Sequence, residues 1–461
     1  MADYIVAIDL GTSHITGIVG EKNADGTFTI LAYDTEETIS KTQKSDTEDA
    51  ISCIYRGIIY NRDNTATHIA NLIKKLESRM NGDTIDKVYV GVGGQSLRTI
   101  EHIVTMEVEE GAAVTEDDLA DLNYQCGMYK QGTQDVLGMA PAVYFLDGRK
   151  DTQPVGVSCK HLEAHYKLVV GRSSIRSDIT KSVALIPEKT LAGIFVSPLA
   201  LADAALSKKE KELGCALVDF GAGVTSVSVY KDGVLQHLCV IPLGGNLITR
   251  DLKVLQLTKD EAEKLKVEKG SAILSNEEEN ILIKIETDGA DRVIKLSDLN
   301  AIIEARAKEI VENVNAQITG VIELRQLGSG ITLAGSAAEL SKLPDLLKEK
   351  CRVNIRYATV QNGLVQGADE MLGNPMYMMA ISLMLKGTET CVTSKQATNQ
   401  ESTNLTSPVG INTGSITKNE PQTKNPDDTN RKIHSDFKIK NPKGRKKALS
   451  EWMRDIFTTE S

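Results

Sequence analysis

Two stretches of the chain carry residues whose order suits phosphate binding. One runs from Asp9 to Ser13 and the other from Asp219 to Gly223, and each lies between two apolar, β-branched runs. Glycines let the backbone approach a ligand closely, and the N–H groups of such a turn can donate to anionic oxygens. Asp9 and Asp219 are candidates to hold a hydrated Mg²⁺ ion. The alternative is two ordinary β-turns capped by their own aspartates, but one copy in each half of the chain favours a paired site.

A third motif follows the apolar run at residues 331–334. The small residues Gly335 and Ser336 leave room for a ribose and a base, and residues 338–350 are predicted to form the helix behind them. A tight strand-to-helix turn is the alternative. Together the three motifs predict a nucleotide between two halves of the protein.

The motifs lie among predicted strands and helices that alternate along the chain. Up to about Gly387, β-branched runs alternate with amphipathic stretches of helical period. The predicted strands include residues 4–8, 85–92, 216–220 and 331–334, and the predicted helices include 65–80, 116–129 and 296–322. Thr115 is the predicted N-cap of the second helix. This alternation predicts an α/β fold.

Composition excludes several classes of protein. The net charge of −10 is opposite to the basic surface of a dedicated nucleic-acid-binding protein. The seven cysteines are scattered without a CxxC pair, which fits a reducing cytoplasm better than a disulfide framework or a zinc site. We expect neither a signal peptide nor a transmembrane helix, because the longest apolar stretch, residues 376–385, is too short to span a bilayer.

The motifs resemble those of the actin/Hsp70/sugar-kinase ATPase superfamily. Residues 8–13 look like its first phosphate loop, residues 218–225 like its second, and residues 330–338 like its adenosine motif. Within the superfamily, roughly the first 387 residues are similar to the FtsA family of bacterial cell-division proteins. Stretches characteristic of that family occur at 154–156, 210–214, 240–249 and 262–270.

The resemblance implies an actin-like ATPase fold, in which two duplicated α/β halves surround a nucleotide cleft and an FtsA-type subdomain is inserted. The expected parts, in chain order, are the start of the first half (1–82), the inserted subdomain (83–166), the return of the first half (167–205), the core of the second half (206–243), its smaller subdomain (244–300), and the rest of that core with the return to the first half (301–387).

The resemblance also implies ATP and Mg²⁺ as cofactors, with Asp9 and Asp219 holding the metal through water. Glu263 and Lys266, one helical turn apart, are similar to a pair that contacts adenosine in the superfamily; on spacing alone they would be a solvated helix face. The cofactor-binding residues implied are Asp9, Gly11, Thr12, Ser13, His14, Asp219, Gly221, Ala222, Gly223, Val224, Thr225, Gly245, Glu263, Lys266, Gly335 and Ser336.

Three positions depart from the superfamily pattern. Ala222 stands where glycine is usual, which a negative φ would tolerate. Ser226 replaces an acidic residue, and Ser197 stands where relatives carry a water-positioning glutamate or glutamine. Ser197 is thus the one catalytic candidate. Because a hydroxyl is a poor base near neutral pH, we expect at most a slow ATPase.

The last 74 residues form two further segments. Residues 388–441 are rich in Thr, Ser, Asn, Gln and Pro, which predicts a disordered linker. Residues 442–461 carry a basic run and then apolar residues at i, i+3, i+4, i+7 and i+8, which predicts an amphipathic helix lying on an anionic membrane. A helix that docks in a partner's groove is the alternative. The residues concerned are Lys446, Lys447, Leu449, Trp452, Met453, Ile456 and Phe457.

The resemblance implies an adaptor that polymerises and ties FtsZ filaments to the cytoplasmic face of the membrane at the division site. Expected partners are the FtsZ C-terminal peptide, which Arg306 could contact, further copies of the chain, anionic lipid and other divisome proteins. Two alternatives share the fold. A sugar kinase would need a carboxylate base in the cleft, and an Hsp70-like chaperone would need a β-rich peptide-binding domain after residue 387. The sequence provides a candidate for neither.

Overall fold

The computed structural model describes residues 3–393, apart from 40–51, 81, 110, 131, 152, 276, 278, 286–291 and 368–369. The predicted amphipathic helix lies outside the described residues, as does the predicted linker from residue 394 onward. The membrane-facing candidates that lie outside are Lys446, Lys447, Leu449, Trp452, Met453, Ile456 and Phe457.

The strands in chain order are β1 (Asp3–Leu10), β2 (His14–Lys22), β3 (Phe28–Glu37), β4 (Ile54–Tyr55), β5 (Ile58–Ile59), β6 (Thr84–Ile85), β7 (Lys87–Val92), β8 (Arg98–Glu107), β9 (Gln134–Met139), β10 (Val143–Leu146), β11 (Arg149–Asp151), β12 (His161–Arg172), β13 (Thr190–Val196), β14 (Cys215–Phe220), β15 (Thr225–Lys231), β16 (Val234–Ile241), β17 (Leu282–Ile285), β18 (Arg292–Lys295), β19 (Ile331–Ala334), β20 (Ile355–Tyr357), β21 (Val365–Gln366) and β22 (Val392–Thr393).

The α-helices are α1 (Arg62–Glu77), α2 (Glu116–Gly127), α3 (Ser173–Ala184), α4 (Ser197–Ala205), α5 (Lys208–Leu213), α6 (Gly245–Leu252), α7 (Lys259–Lys269), α8 (Leu296–Thr319), α9 (Leu343–Cys351) and α10 (Pro375–Met384). No helix within the described ranges is both long enough and apolar enough to cross a bilayer.

The two halves of the protein are built on the same plan. In the first, β1, β2 and β3 form an antiparallel meander, and β7 and β13 add in parallel on the other side of β1. In the second, β14, β15 and β16 form the meander, and β19 and β20 add in parallel beside β14. The predicted duplication of an α/β unit is therefore confirmed.

The chain between β7 and β13 of the first half contains a small α/β unit with its own core. Strands β8, β10, β11 and β12 form its sheet, β9 pairs with one end of β12, and a single bridge between Cys239 and Arg98 joins β8 to β16. Helix α2 covers one face of this sheet and packs Leu122 and Cys126 into the core. As predicted, Thr115 caps α2, and a reciprocal bond with Asp118 completes the capping box.

Several strands and helices begin or end at residues other than those predicted from the sequence. The segment after Gly335 begins as a short 3₁₀ turn at Ser336–Glu339, and α9 starts only at Leu343, because Lys342 is left-handed (φ 64°) and interrupts the helix. The predicted strand at 85–92 is split at Asp86 into β6 and β7. Helix α8 ends at Thr319, three residues before the predicted end.

Residues 387–393, here called the C-terminal strap, belong to the fold rather than to the predicted linker. The Tyr89 hydroxyl oxygen accepts from the backbone N–H groups of Thr388 (3.1 Å) and Glu389 (2.9 Å). The Cys391 N–H donates to the Tyr4 carbonyl, and β22 pairs with β6. Residues 388–393, which were predicted to belong to the linker, are therefore part of the fold.

Candidate functional site

A cleft of about 890 Å³, including its open mouth, lies where the two equivalent meanders face each other. The first hairpin, β1–β2, and the second hairpin, β14–β15, present their turns to it, and the turn after β19 forms a third wall. The predicted residues that line the cleft are Asp9, Gly11, Thr12, Ser13, His14, Ser197, Asp219, Gly221, Ala222, Gly223, Val224, Ser226, Gly335 and Ser336. The cleft thus contains residues of all three predicted motifs.

Asp9 and Asp219 occupy equivalent places, one residue before the end of β1 and of β14. Burial and, second, the negative charge of Asp219 raise the pKa of Asp9 to about 7. Burial raises the pKa of Asp219 to about 6. Two carboxylates that are costly to ionise beside each other favour a cation between them. In the described part of the chain no group of three or more metal-ligating side chains occurs. The two carboxylates would hold a hydrated Mg²⁺ ion through its water molecules, which Mg²⁺ gives up reluctantly.

The turn of the first hairpin is held by residues that are distant from it in the sequence. The Thr12 carbonyl accepts from the hydroxyls of Thr38 (2.7 Å) and Ser52 (3.0 Å), and the Thr12 hydroxyl accepts from the Gly57 N–H (3.0 Å). Two side chains therefore fix the carbonyl of Thr12, and a backbone N–H group fixes its hydroxyl. A turn preorganised in this way does not need to be ordered by its ligand.

Two glycines allow the close approaches that bring the motifs together. A Cβ atom at Gly223 would lie 2.4 Å from the hydroxyl oxygen of Thr12, so the turns of the two halves touch here. A Cβ atom at Gly335 would lie 2.4 Å from Asp219 Oδ1, and the φ of Gly335 is +84°. Both the backbone conformation and the space exclude other residues at Gly335.

The second hairpin is bonded to the start of α6. The N–H of Gly245 donates to the Gly221 carbonyl (3.0 Å), and the N–H of Asn246 donates to the Ala222 carbonyl (2.8 Å). Ala222 is absent from the non-glycine residues with positive φ in the described chain. The methyl group of Ala222 therefore causes no backbone strain in this turn, and alanine is tolerated at a position where glycine is usual.

Glu263 and Lys266 lie on one face of α7, as predicted, and meet each other and α6. Lys266 Nζ donates to Glu263 Oε2 (2.7 Å), to the Thr249 hydroxyl (3.0 Å) and to the Gly245 carbonyl (3.3 Å). The Thr249 hydroxyl also donates to Glu263. These side chains lie beside the cleft rather than in its lining, so a nucleotide would have to exchange bonds with this network.

Four of the predicted cofactor residues are not in the lining of the cleft. They are Thr225, Gly245, Glu263 and Lys266. The Thr225 hydroxyl is buried and donates to the Leu243 carbonyl (2.8 Å), which gives it a structural role. Sequence reasoning missed several lining residues that come from separate segments, namely Thr16, Gly57, Gly93, Gly94, Pro198, Pro375, Met376 and Met379. The Gly93-Gly94 pair directly after a strand was the one signal that could have indicated some of them.

Ser197 lies at the start of α4 and is 4% exposed. Among the described residues its hydroxyl has no hydrogen-bond partner. A buried, unsatisfied hydroxyl at the wall of a cleft is free to bind a water molecule or a ligand atom.

Comparisons with known proteins agree with this architecture. A family model described as "Cell division protein FtsA" matches residues 216–382, and one described as "SHS2 domain inserted in FTSA" matches residues 94–170. Cell division protein FtsA of Porphyromonas gingivalis is 31% identical over 396 residues, which cover 85% of this chain and 80% of that protein. The chain belongs to the FtsA family. The proteins of that name from Bacillus subtilis (28% identical, 83% of each chain) and Escherichia coli (26%, covering 84% of this chain and 90% of that one) are also similar.

Solved structures share the fold at low identity. A chain of the PilM-PilN type IV pilus biogenesis complex has a TM-score of 0.57 at 14% identity and covers 84% of this FtsA-family chain and 98% of its own. MreB5 of Spiroplasma citri has a TM-score of 0.50 at 11% identity, over 87% of this chain and 99% of that one. The FtsA-family chain therefore has the predicted actin-like fold, with the SHS2 unit as its insertion.

Arg306, the residue predicted to contact a partner peptide, lies on α8 of this FtsA-family chain. Its Nε lies 2.5 Å from Asp251 Oδ2, and its Nη1 pairs with Glu309. The side chain is 22% exposed. A peptide carboxylate would therefore have to compete with two carboxylates of the chain itself.

Proposed function

We propose that this FtsA-family protein binds ATP with Mg²⁺ between its halves, polymerises, and anchors FtsZ filaments to the cytoplasmic face of the membrane through its C-terminal segment. The observation that carries the nucleotide part is the placement of Asp9 and Asp219 at equivalent strand ends, facing one cleft. Membership of the family supports the division part. Polymerisation and the FtsZ contact are extended to this chain from the resemblance.

The residues of the cleft fit a magnesium nucleotide. Both carboxylates have a raised pKa, which a divalent cation would reverse by stabilising the ionised forms. Gly11, Gly221 and Gly223 leave room for phosphate oxygens at the turns, and Gly335 and Ser336 leave room for the adenosine. MreB5 of Spiroplasma citri, which has this fold, is described as bound to ADP. When bound, the magnesium nucleotide would supply a phosphoanhydride whose charge is partly neutralised by the metal.

The surroundings of the cleft favour retention of the nucleotide over rapid hydrolysis. Ser197 and Ser226 are buried hydroxyls at the positions where relatives usually carry an acid or an amide. A hydroxyl orients water but accepts its proton poorly near neutral pH. We expect phosphate release well below the roughly 1–100 per second typical of kinases. A rate within that range would show that another residue activates water.

A thermal-shift titration tests the nucleotide proposal. Millimolar ATP with Mg²⁺ should raise the melting temperature, because a ligand at a hundredfold excess over its Kd stabilises the folded state by about 2.7 kcal/mol. Asp219→Ala should remove most of the Mg²⁺-dependent part of the shift. The absence of any shift in the wild-type protein would refute the nucleotide proposal, and a metal dependence left intact by Asp219→Ala would refute the metal assignment.

The membrane part rests on the sequence of residues 443–457. Burial of a large apolar side chain contributes roughly 1.5–3 kcal/mol, and each basic residue near an anionic surface about 1 kcal/mol. Trp452→Glu should release the protein from anionic vesicles at any salt concentration. Charge reversal of Lys446 and Lys447 should weaken binding mainly at low ionic strength. Co-sedimentation of Trp452→Glu at wild-type levels would favour the partner-groove alternative.

A further inference from the structure

The cleft between the two halves is acidic. Asp9 and Asp219 line it, whereas neither a lysine nor an arginine is among the described residues of its lining. ATP would add further negative charge, of which Mg²⁺ neutralises only a part. Lys266 lies beside the cleft, but its ammonium group already pairs with Glu263 at 2.7 Å. The phosphates of ATP would therefore lack a protein cation unless a residue next to the lining supplies one.

Arg56 is next to the lining at the turn of the first hairpin. The following residue, Gly57, lines the cleft, and its N–H donates to the Thr12 hydroxyl (3.0 Å). Because the Cα atom of Arg56 is two bonds from that nitrogen, it lies within about 6 Å of the Thr12 hydroxyl oxygen. An extended arginine side chain spans a comparable distance. The guanidinium of Arg56 can therefore reach an anion that is bound at this turn.

The guanidinium of Arg56 has no carboxylate partner among the residues that the structure describes. Its Nη1 donates to the side-chain oxygen of Gln95 over 3.4 Å, which is long for a hydrogen bond, and its Cζ lies 5.1 Å from the centre of the Tyr55 ring. Two other arginines of the first half, Arg62 and Arg79, each pair with an aspartate. Arg56 thus carries a positive charge that weak contacts hold in place.

The backbone holds Arg56 in a conformation that arginine rarely adopts. Arg56 and Gly57 form the two-residue turn between β4 and β5, and their φ values are +48° and +72°. Such a turn favours asparagine or glycine at its first position, so an arginine there costs stability. The Arg56 carbonyl accepts from the Gln95 N–H (3.0 Å), and a Cβ atom at Gly57 would lie 2.6 Å from the Cα atom of Gly94. These contacts prevent the turn from relaxing, and residues strained in this way cluster at ligand-binding sites.

We propose that Arg56 binds the terminal phosphate of ATP. This inference rests on the proposed function, since it requires a nucleotide between the halves. With the adenosine at Gly335 and Ser336 of the second half, the phosphates extend toward the turn at Thr12 of the first half, beside Arg56. A guanidinium can bind two phosphate oxygens at once, and its long bond to Gln95 is easily exchanged for them.

The contact would let the protein distinguish ATP from ADP. ADP lacks the phosphate that Arg56 binds, so in the ADP complex the guanidinium stays on Gln95. A residue that contacts the terminal phosphate alone adds to the affinity for ATP and leaves the affinity for ADP unchanged. This selectivity is the property to measure.

Calorimetric titration of the full chain with ATP and with ADP, each with Mg²⁺, tests the contact. Arg56→Asn should weaken ATP binding at least about tenfold, because a hydrogen bond to a charged group is lost, and should change ADP binding less than about twofold. Asparagine suits a positive φ, so the same variant should melt about 1–2 °C higher than the wild type without nucleotide. Arg56→Lys keeps the positive charge and should weaken ATP binding less than Arg56→Asn does.

Arg352 provides a matched control. It also has a positive φ, +54°, and it is exposed at the end of α9, outside the lining of the cleft. Arg352→Asn should raise the melting temperature as Arg56→Asn does and leave both nucleotide affinities unchanged. A gain in stability combined with a selective loss of ATP affinity, seen in Arg56→Asn alone, is a result that a structural role of Arg56 does not produce.

The outcomes separate this inference from the proposed nucleotide site. Wild-type affinity for ATP in Arg56→Asn, or an equal loss of ATP and ADP affinity, would refute the contact with the terminal phosphate and leave the nucleotide site standing. A variant that melts below the wild type and loses both nucleotides would assign Arg56 a structural role in the turn. Absence of ATP and ADP binding by the wild-type protein would refute the nucleotide site and this inference with it.

Discussion

Replacing Asp219 by asparagine should stabilise the nucleotide-free protein at neutral pH, although it removes a residue of the proposed site. Burial raises the pKa of the Asp219 carboxyl from 3.8 to about 6. A group whose pKa is higher in the folded state contributes stability below its unfolded pKa and loses it as the pH rises through the folded pKa. Near pH 8, the ionised Asp219 therefore lowers the stability of the folded protein without nucleotide.

The size of the effect follows from the shift. Two pKa units correspond to about 3 kcal/mol at 1.36 kcal/mol per unit. Solvent penetration and the new amide group reduce the expected gain of Asp219→Asn to about 1–3 kcal/mol at pH 8. At pH 5 the gain should be about half as large, because most of the folded protein is then already protonated at this position. For a chain of this length the gain corresponds to a few degrees in Tm.

The assay is thermal unfolding of both proteins in EDTA and in ATP with Mg²⁺, at pH 5 and pH 8. In EDTA the variant should melt higher, with the larger difference at pH 8. In ATP with Mg²⁺ the order should reverse, because the wild-type protein gains more from the ligand. Asp25→Asn is the control: hydrogen bonds from Thr27 lower the pKa of that exposed carboxyl, so the substitution should not stabilise the protein at either pH. A variant that is less stable than the wild type at pH 8 in EDTA would refute the reasoning.

Three further predictions test other parts of the account. Gly335→Ala should abolish the ATP-dependent thermal shift. Its Cβ atom would lie 2.4 Å from Asp219 Oδ1, and its φ of +84° is unfavourable for alanine. An unchanged shift would contradict the proposal that the turn at Gly335 and Ser336 contacts the adenosine. Tyr89→Phe should lower the free energy of unfolding, measured by denaturant titration, by about 1–3 kcal/mol, because two N–H groups of the C-terminal strap lose their acceptor. A loss below about 0.5 kcal/mol would mean that the other contacts of the strap hold it in place. Arg306→Glu should abolish binding of the FtsZ C-terminal peptide in fluorescence anisotropy and leave ATP binding unchanged. Asp251→Asn removes one of the two carboxylates that pair with Arg306 and should tighten peptide binding. Unaltered peptide affinity in both variants would place the peptide elsewhere.

The motifs of the cleft could be predicted from sequence because each one is local. Asp9 lies near the end of β1, and residues 11–13 connect β1 to its antiparallel neighbour β2, so their order alone defines the hairpin. The same holds for the hairpin at Asp219. The relation between the two hairpins was predicted from their duplication, and the structure places Thr12 of one against Gly223 of the other.

The parts that sequence reasoning missed depend on contacts distant in the chain. The C-terminal strap has the composition of a linker, and it is ordered by Tyr89 and Tyr4, which lie about 300 or more residues earlier. The loop at Gly94 reaches the cleft because β7, which precedes it, is a neighbour of β1 in the sheet, and the N–H of Gly57 bonds to the Thr12 hydroxyl. The late start of α9 depends on the left-handed conformation of Lys342, for which the residue type gives no signal.

Flotation of FtsZ filaments with anionic vesicles tests the adaptor role most directly. FtsZ, vesicles and the full chain in ATP with Mg²⁺ should give FtsZ in the floating fraction, whereas a chain ending at Thr393, after the strap, should leave FtsZ at the bottom while still showing the ATP-dependent thermal shift. Trp452→Glu should behave like the shortened chain. FtsZ that floats equally well with the shortened chain, or that fails to float with the full chain, would contradict the account.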